Sequence, residues 1–123
     1  MTSGIIGCNF CSNNNQFVVT KMYVSFEWNQ RKSQSNLAKH HISFELAQHV
    51  FSDPNQLAVI ERIDGGEERW QTIGMVGGCL ILLVAHTTRE VDVDGDGIEI
   101  IRIISARKAD VKERGKYEAK KFG

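Results

Sequence analysis

The hydrophobic period of this chain changes at Asp53-Pro54, and that change limits what it can fold into. Upstream, Phe44, Leu46-Ala47 and Val50-Phe51 recur at helical spacing behind Ser43, whose hydroxyl suits a helix N-cap. Before them, Asn29 to Lys39 is built from helix formers with a thin apolar edge that includes Phe26 and Leu37. Proline ends the second helix, because the residue before it avoids the helical region. Downstream the period is two. Leu57 to Ile63 reads as a strand, Asp64-Gly65-Gly66 as a hairpin turn and Glu68 to Val76 as its partner. Gly77-Gly78 leads into the apolar strand Cys79 to Thr88, and Asp94-Gly95-Asp96-Gly97 turns the chain into Ile98 to Ala106. Helix formers return from Lys108 to Lys121. Short connections make the strands antiparallel, so the expected fold is α+β: two N-terminal helices, a four-stranded antiparallel β-sheet and a C-terminal helix. At 123 residues the chain has room for one core.

Residues 1-21 are rich in Asn, Ser and Gly, and only Phe17-Val18-Val19 is patterned. They are expected to form a flexible leader, with 22-123 as the single domain. Met22 opens the patterned part, so translation starting there would make the leader an extension foreign to the natural protein. The longest apolar run, Cys79 to Ala85, has seven residues, against about 20 for a membrane span. A secretory signal is not legible either, and three cysteines do not form a disulfide framework, which together point to the cytoplasm and to no membrane partner.

Lys+Arg and Asp+Glu are balanced at 15 each, but the charges are segregated. Residues 106-121 hold seven basic and three acidic side chains, whereas 89-99 hold one basic and five acidic. The last helix is thus a basic face on which Lys108, Lys112 and Arg114 could meet phosphates.

Several groups invite chemistry. Cys8-x-x-Cys11 has the spacing of a zinc or redox pair, but no second pair follows and no strand-helix context surrounds it. Asp92 to Gly97 matches the start of a calcium loop, yet Ile103 stands where that loop needs a bidentate glutamate; repeated Asp and Gly also suit a solvated turn. No metal or other cofactor is expected. His86 ends an apolar strand, and His40 and His41 stand where the first helix stops; such positions border clefts more often than mid-element ones, although a hydrogen-bonded structural histidine is the commoner case. Strict alternation puts Arg102 with Ile98, Ile100, Ile104 and Ala106 on one strand face, and Arg107 with Ile101, Ile103 and Ser105 on the other. Arg69 begins its own strand. Cations among isoleucines want anions: an internal carboxylate such as Glu27, Glu45 or Glu68, or a phosphate held by the guanidinium fork.

Taken in order, these motifs resemble the BrnT toxin family. The marks are Phe26-Glu27-Trp28-Asn29 with Lys32, Asn36-Leu37-x-Lys39-His40, Ser43-Phe44-Glu45-x-Ala47 and Val50-Phe51-x-Asp53-Pro54. They continue in Glu68-Arg69-Trp70-x-x-Ile73-Gly74, His86-Thr87-x-Arg89, Arg102-Ile103-Ile104-Ser105-Ala106-Arg107-x-Ala109 and Glu113-Arg114 with Tyr117-Glu118. The resemblance implies a RelE-like ribonuclease fold and the toxin half of a type II toxin-antitoxin pair, which cleaves RNA and slows translation. It implies a BrnA-type ribbon-helix-helix antitoxin as partner, with operator DNA bound only through that antitoxin. The functional positions it suggests are Lys39, His40, Arg69, His86, Arg102 and Arg107, with Tyr117 as an RNA contact. The chain departs from the family where Asn29 replaces a common Asp and His41 a common Gly.

A metal-free reaction fits these residue types. A 2′-hydroxyl can attack the adjacent phosphorus if one group takes its proton, another protonates the leaving 5′-oxygen, and cations stabilise the phosphate oxygens. The alternative is a non-catalytic RNA-binding or protein-binding module, a degenerate toxin whose arginines dock an acidic segment.

Overall fold

The computed structural model describes residues 2-11, 19-65 and 67-122, with side chains from residue 23 to 121 apart from Gly66. The Cys8 and Cys11 side chains and the Phe17-Val18 pair therefore lie outside what is described. Two strands come first, β1 (Thr2–Cys11) and β2 (Val19–Trp28), then helices α1 (Gln30–His40) and α2 (Phe44–Ala47), the latter continuing as a 3-10 segment, Gln48–Ser52. Strands β3 (Leu57–Asp64), β4 (Glu67–Val76), β5 (Leu80–Val93) and β6 (Asp96–Lys108) follow, and α3 (Val111–Phe122) closes the chain.

The expected antiparallel meander is present as β3 to β6, but the sheet is larger and mixed, with order β1-β2-β6-β5-β4-β3. β2 adds to β6 in parallel, Met22 opposite Gly97 through Glu27 opposite Arg102, and β1 pairs antiparallel outside it. The boundary placed at residue 22 falls inside β2, and Thr2–Cys11, read above as leader, forms the outer strand. Phe26 does not belong to a helix. Val24, Phe26 and Trp28 alternate inward along β2, and the latter two are buried with Phe44, Val50, Leu82, Val84, Ile101 and Ile103 in the core between sheet and α1–α2. A second, smaller cluster of Ile73, Ile81, Leu83 and Tyr117 sits under α3 on the opposite face.

Local chemistry explains the element ends. Asn29 caps α1, its Oδ1 accepting from the amides of Arg31 at 2.9 Å and Lys32 at 3.3 Å, so the amide side chain does what an aspartate does there. Ser43 caps α2 through Oγ, 3.1 Å from the Leu46 amide. His41 ends α1 in the left-handed conformation at φ 64°, the backbone shape usually left to glycine. Asp94 and Gly95, both at positive φ, are the two central residues of the β5–β6 hairpin and give it a primed turn, so the Asp-Gly repeat is a turn in this fold.

β6 carries one extra residue. Ala85 pairs with Ser105 but His86 with Ile103, which leaves Ile104 as a bulge. The bulge reverses the alternation downstream, so Ile101, Ile103 and Ala106 are all buried in the main core. Arg102 and Arg107 consequently share the α3 face rather than lying on opposite faces as strict alternation predicts.

Asn36 anchors the free edge of β6 at the same place. Its Nδ2 donates to the carbonyls of Ile42 and Ala106, both at 2.7 Å, and its Oδ1 accepts from the Ala106 amide at 3.2 Å. One buried amide side chain thus satisfies backbone groups that no strand covers.

Candidate active site

The α3 face of the sheet carries a row of side chains at one level. Arg62 pairs with Arg69, Arg69 with Thr87, Thr87 with Arg102, and Arg102 with Glu27. Arg69 and Arg102 therefore flank the buried Thr87 two strand spacings apart, about 10 Å between backbones. Two cations at that separation, with a hydroxyl between them, can receive one phosphate group or two neighbouring ones.

Their pairing differs. Arg102 is exposed and makes no hydrogen bond or ion pair among the described residues. Arg69 Nε lies 3.5 Å from Glu61 Oε2, a charge contact without a hydrogen bond, and the same buried Nε has no hydrogen-bond partner among the described residues. Glu27 is occupied by Arg89, at 3.0 Å. Arg107 points elsewhere. Its Nη1 and Nη2 each donate to a Glu113 carboxylate oxygen at 2.8 Å, and Nη1 also donates to the Lys108 carbonyl at 3.2 Å. That fork holds the Glu113 carboxyl below its ordinary range and pushes the Arg107 guanidinium further up. Glu113 and Asp110 exchange hydrogen bonds with each other's amides at 2.8 and 2.9 Å, a capping box at the start of α3. Arg107 thereby ties β6 to α3. Its anion is thus Glu113 rather than Glu27, Glu45 or Glu68.

His86 lies apart from the arginine row. It follows Ala85 and precedes Thr87 on β5, so its side chain takes the face opposite the arginine row, where it is 3% exposed. Its Nε2 lies 2.7 Å from Thr72 Oγ1, and its ring meets Phe51 edge to face at 4.8 Å. Nδ1 has no partner among the described residues. Burial pushes the imidazole pKa down to about 4, which leaves it neutral at pH 7. The sheet lies between this ring and the side chains of Arg69 and Arg102.

Tyr117 is buried beneath α3. The ring is 1% exposed, and its hydroxyl donates to Asp53 Oδ2 at 2.6 Å. Burial, followed by that carboxylate, raises the phenol pKa to about 12. Asp53 also accepts from the Met75 amide at 2.8 Å and the Asn55 amide at 2.9 Å. Burial alone would raise the Asp53 pKa, but these hydrogen bonds, led by that of Tyr117, hold it below the usual value. Tyr117 fastens α3 to the loop after the 3-10 segment. Gly74 lets the 3-10 segment lie directly against β4, since a Cβ there would stand 2.8 Å from Val50 Cγ1. The other residues expected on the basic helix, Lys108, Lys112 and Arg114, are exposed.

Lys39 and His40 stand at the C-terminal end of α1, beside the β6 bulge. With Lys32, Ser35, Asn36, Ile104 and Ser105 they line a cleft of about 210 Å³. The bulge carries Arg102 on one side and this cleft on the other, so the cations of α1 and the sheet arginines border one stretch of β6. Thr87 and Arg89 were not singled out from the sequence. Their alternation with buried His86 was the available signal.

Among the described residues no helix is long and apolar enough to cross a membrane. No curated protein matches the sequence. Among solved structures, a ribonuclease toxin, BrnT, of Brucella abortus is similar, with 24% identity, a TM-score of 0.45, and coverage of 69% of this chain and 95% of that one. Residues 28-113 match the family described as ribonuclease toxin, BrnT, of type II toxin-antitoxin systems, a span that takes in α1, the whole meander and the first turn of α3. The chain belongs to the BrnT family of ribonuclease toxins.

Proposed function

We propose that this chain is an active endoribonuclease that works without a metal ion, through the arginine row on the α3 face of its sheet. The family match carries the activity, and the unpaired Arg102 beside Arg69 and Thr87 supports the place. Arg69 and Arg102 hold the phosphate oxygens as the 2′-hydroxyl attacks, which leaves a 2′,3′-cyclic phosphate on one fragment and a 5′-hydroxyl on the other. In this reading His86, buried on the opposite face, moves no proton; His40, assisted by Lys39, takes the 2′-hydroxyl proton and returns it to the leaving 5′-oxygen from the free edge of β6 beside Ser105, which lies on the arginine face. Lys112 and Arg114 on the first turns of α3 hold flanking phosphates, with Lys108, which the fold places at the end of β6 and not on the helix, beside them. By this reading the protein acts in the cytoplasm, slows translation by destroying RNA, and is neutralised by a BrnA-type ribbon-helix-helix antitoxin, which alone carries operator contacts.

The decisive experiment incubates purified protein with RNA in the presence of EDTA. Chelator-resistant cleavage that leaves cyclic phosphate ends, and that is lost in Arg102→Ala and His40→Ala, supports the reading. Cleavage that EDTA abolishes refutes metal independence, and RNA binding without cleavage favours a non-catalytic module.

A further inference from the structure

Strand β3 is an outer edge of the sheet, and its exposed edge is unusually apolar. Of the six large hydrophobic side chains exposed among the described residues, three lie on it: Val59 at 55%, Ile60 at 42% and Ile63 at 63%. Edge strands in soluble proteins are normally protected by charged side chains, proline, bulges or cover, because their free backbone groups recruit other strands. Leu57–Asp64 has neither lysine nor proline, and its charges, Glu61 and the Arg62–Asp64 ion pair at 2.8 Å, leave Ile60 and Ile63 uncovered.

A bulge decides which faces these residues take. Ile60 pairs with Trp70 and Arg62 with Arg69, which leaves Glu61 extra, and Ile63 then pairs with Glu68. Trp70 and Glu68 share a face, so Ile60 and Ile63 share it as well, although three residues separate them. Arg62 takes the opposite face with Arg69. Glu61 lies there too, within 3.0 Å of Gln71 Nε2 and 3.5 Å of Arg69 Nε.

We propose that β3 is the interface of a homodimer in which two copies join edge to edge, antiparallel, about a two-fold axis between Glu61 and Arg62. That register places Ile60 of each copy opposite Ile63 of the other, so four isoleucines meet on one face. Glu61 of each copy stands opposite Arg62 of the other, so two acid-base pairs close the opposite face. Both bulges fall at the same level and leave the ladder in step on either side. The self-complementarity of charge and apolarity about one point argues for a second copy as the occupant. The dimer would join the two sheets into one, with both arginine rows on the same side. The proposal does not depend on ribonuclease activity.

Light scattering coupled to size exclusion on the full chain tests it. A mass twice that of the monomer is expected, falling to the monomer in Ile63→Lys and staying doubled in Ile63→Leu, with circular dichroism confirming that both variants fold. The register is tested by oxidising single-cysteine variants in a background with Cys8, Cys11 and Cys79 changed to serine. Ile60→Cys mixed with Ile63→Cys should yield a cross-linked dimer, and neither variant alone should do so. A monomer at all concentrations overturns the proposal, as does a dimer that survives Ile63→Lys or cross-links equally well from one variant alone.

Discussion

Thr72 Oγ1 and His86 Nε2 meet at 2.7 Å beneath the ring of Phe51, on the face of the sheet that Arg69 and Arg102 do not share. A histidine that reads from the sequence as a proton shuttle is thus a neutral member of the core. Its partner is a threonine on the neighbouring strand, and its cost is a buried Nδ1 with no hydrogen-bond partner among the described residues.

This arrangement predicts a pH dependence of stability. The folded pKa of His86 is about 4 against 6.5 for the free imidazole, so between those values the unfolded chain binds the extra proton and the folded one does not. The contribution is therefore fully present above pH 6.5 and is lost as the pH falls toward 4, a change of about 3 kcal/mol. Urea denaturation of the parent and of His86→Gln at pH 7.5 and 5 measures it. The parent should lose more stability than the variant, and equal losses would refute the burial argument.

Removing either of two arginines should have opposite consequences. Arg102 has no hydrogen bond or ion pair among the described residues to lose, so Arg102→Ala should change stability by less than about 0.5 kcal/mol while abolishing growth arrest and RNA cleavage. Arg107→Lys keeps the charge but not the fork to Glu113, and should cost about 1 kcal/mol by loosening the start of α3. Thermal melts beside an RNA-cleavage assay separate the two. An Arg102→Ala variant that still cuts RNA at the parental rate would remove the arginine row from the mechanism.

Tyr117→Phe deletes the hydroxyl that reaches Asp53 and leaves the ring in place. About 1–2 kcal/mol of stability should be lost, with faster amide exchange in α3 and cleavage unchanged once the protein is folded. Weaker RNA binding by a fully folded variant would instead return Tyr117 to the RNA surface.

His41 adopts φ 64° and ψ 22° after the last turn of α1, with its amide donating to the Leu37 carbonyl at 2.9 Å. Its Cβ is strained in that conformation, and glycine relieves the strain. His41→Gly should raise stability by about 1 kcal/mol in a denaturant titration. A loss would mean that the imidazole makes a contact worth more than the strain.

The meander was legible because period-two alternation, Gly-rich turns and a single proline are local signals, and the caps of Asn29 and Ser43 are local too. β2 was harder. Its alternation of Val24, Phe26 and Trp28 stands in the sequence, but Phe26 fitted the apolar edge of the following helix equally well, and only the parallel partner β6 separates the two readings. The arginines were legible as cations that need anions, and which carboxylate answers them was not. Arg107 finds Glu113 only six residues on, because β6 ends at Lys108 and α3 starts at Val111, so this pair is set by spacing in the chain once the two element ends are known.

By itself the sequence determined the helices, the four meander strands with the turns between them, and the family, while β1 and β2 emerged only with the sheet. Tertiary structure alone decided the faces, since one extra residue at Ile104 and another at Glu61 invert every alternation that follows them. A bulge leaves no mark in hydrophobic period until the partner strand is known. The sides taken by Arg102, Arg107, Ile60 and Ile63 were therefore properties of the assembled sheet.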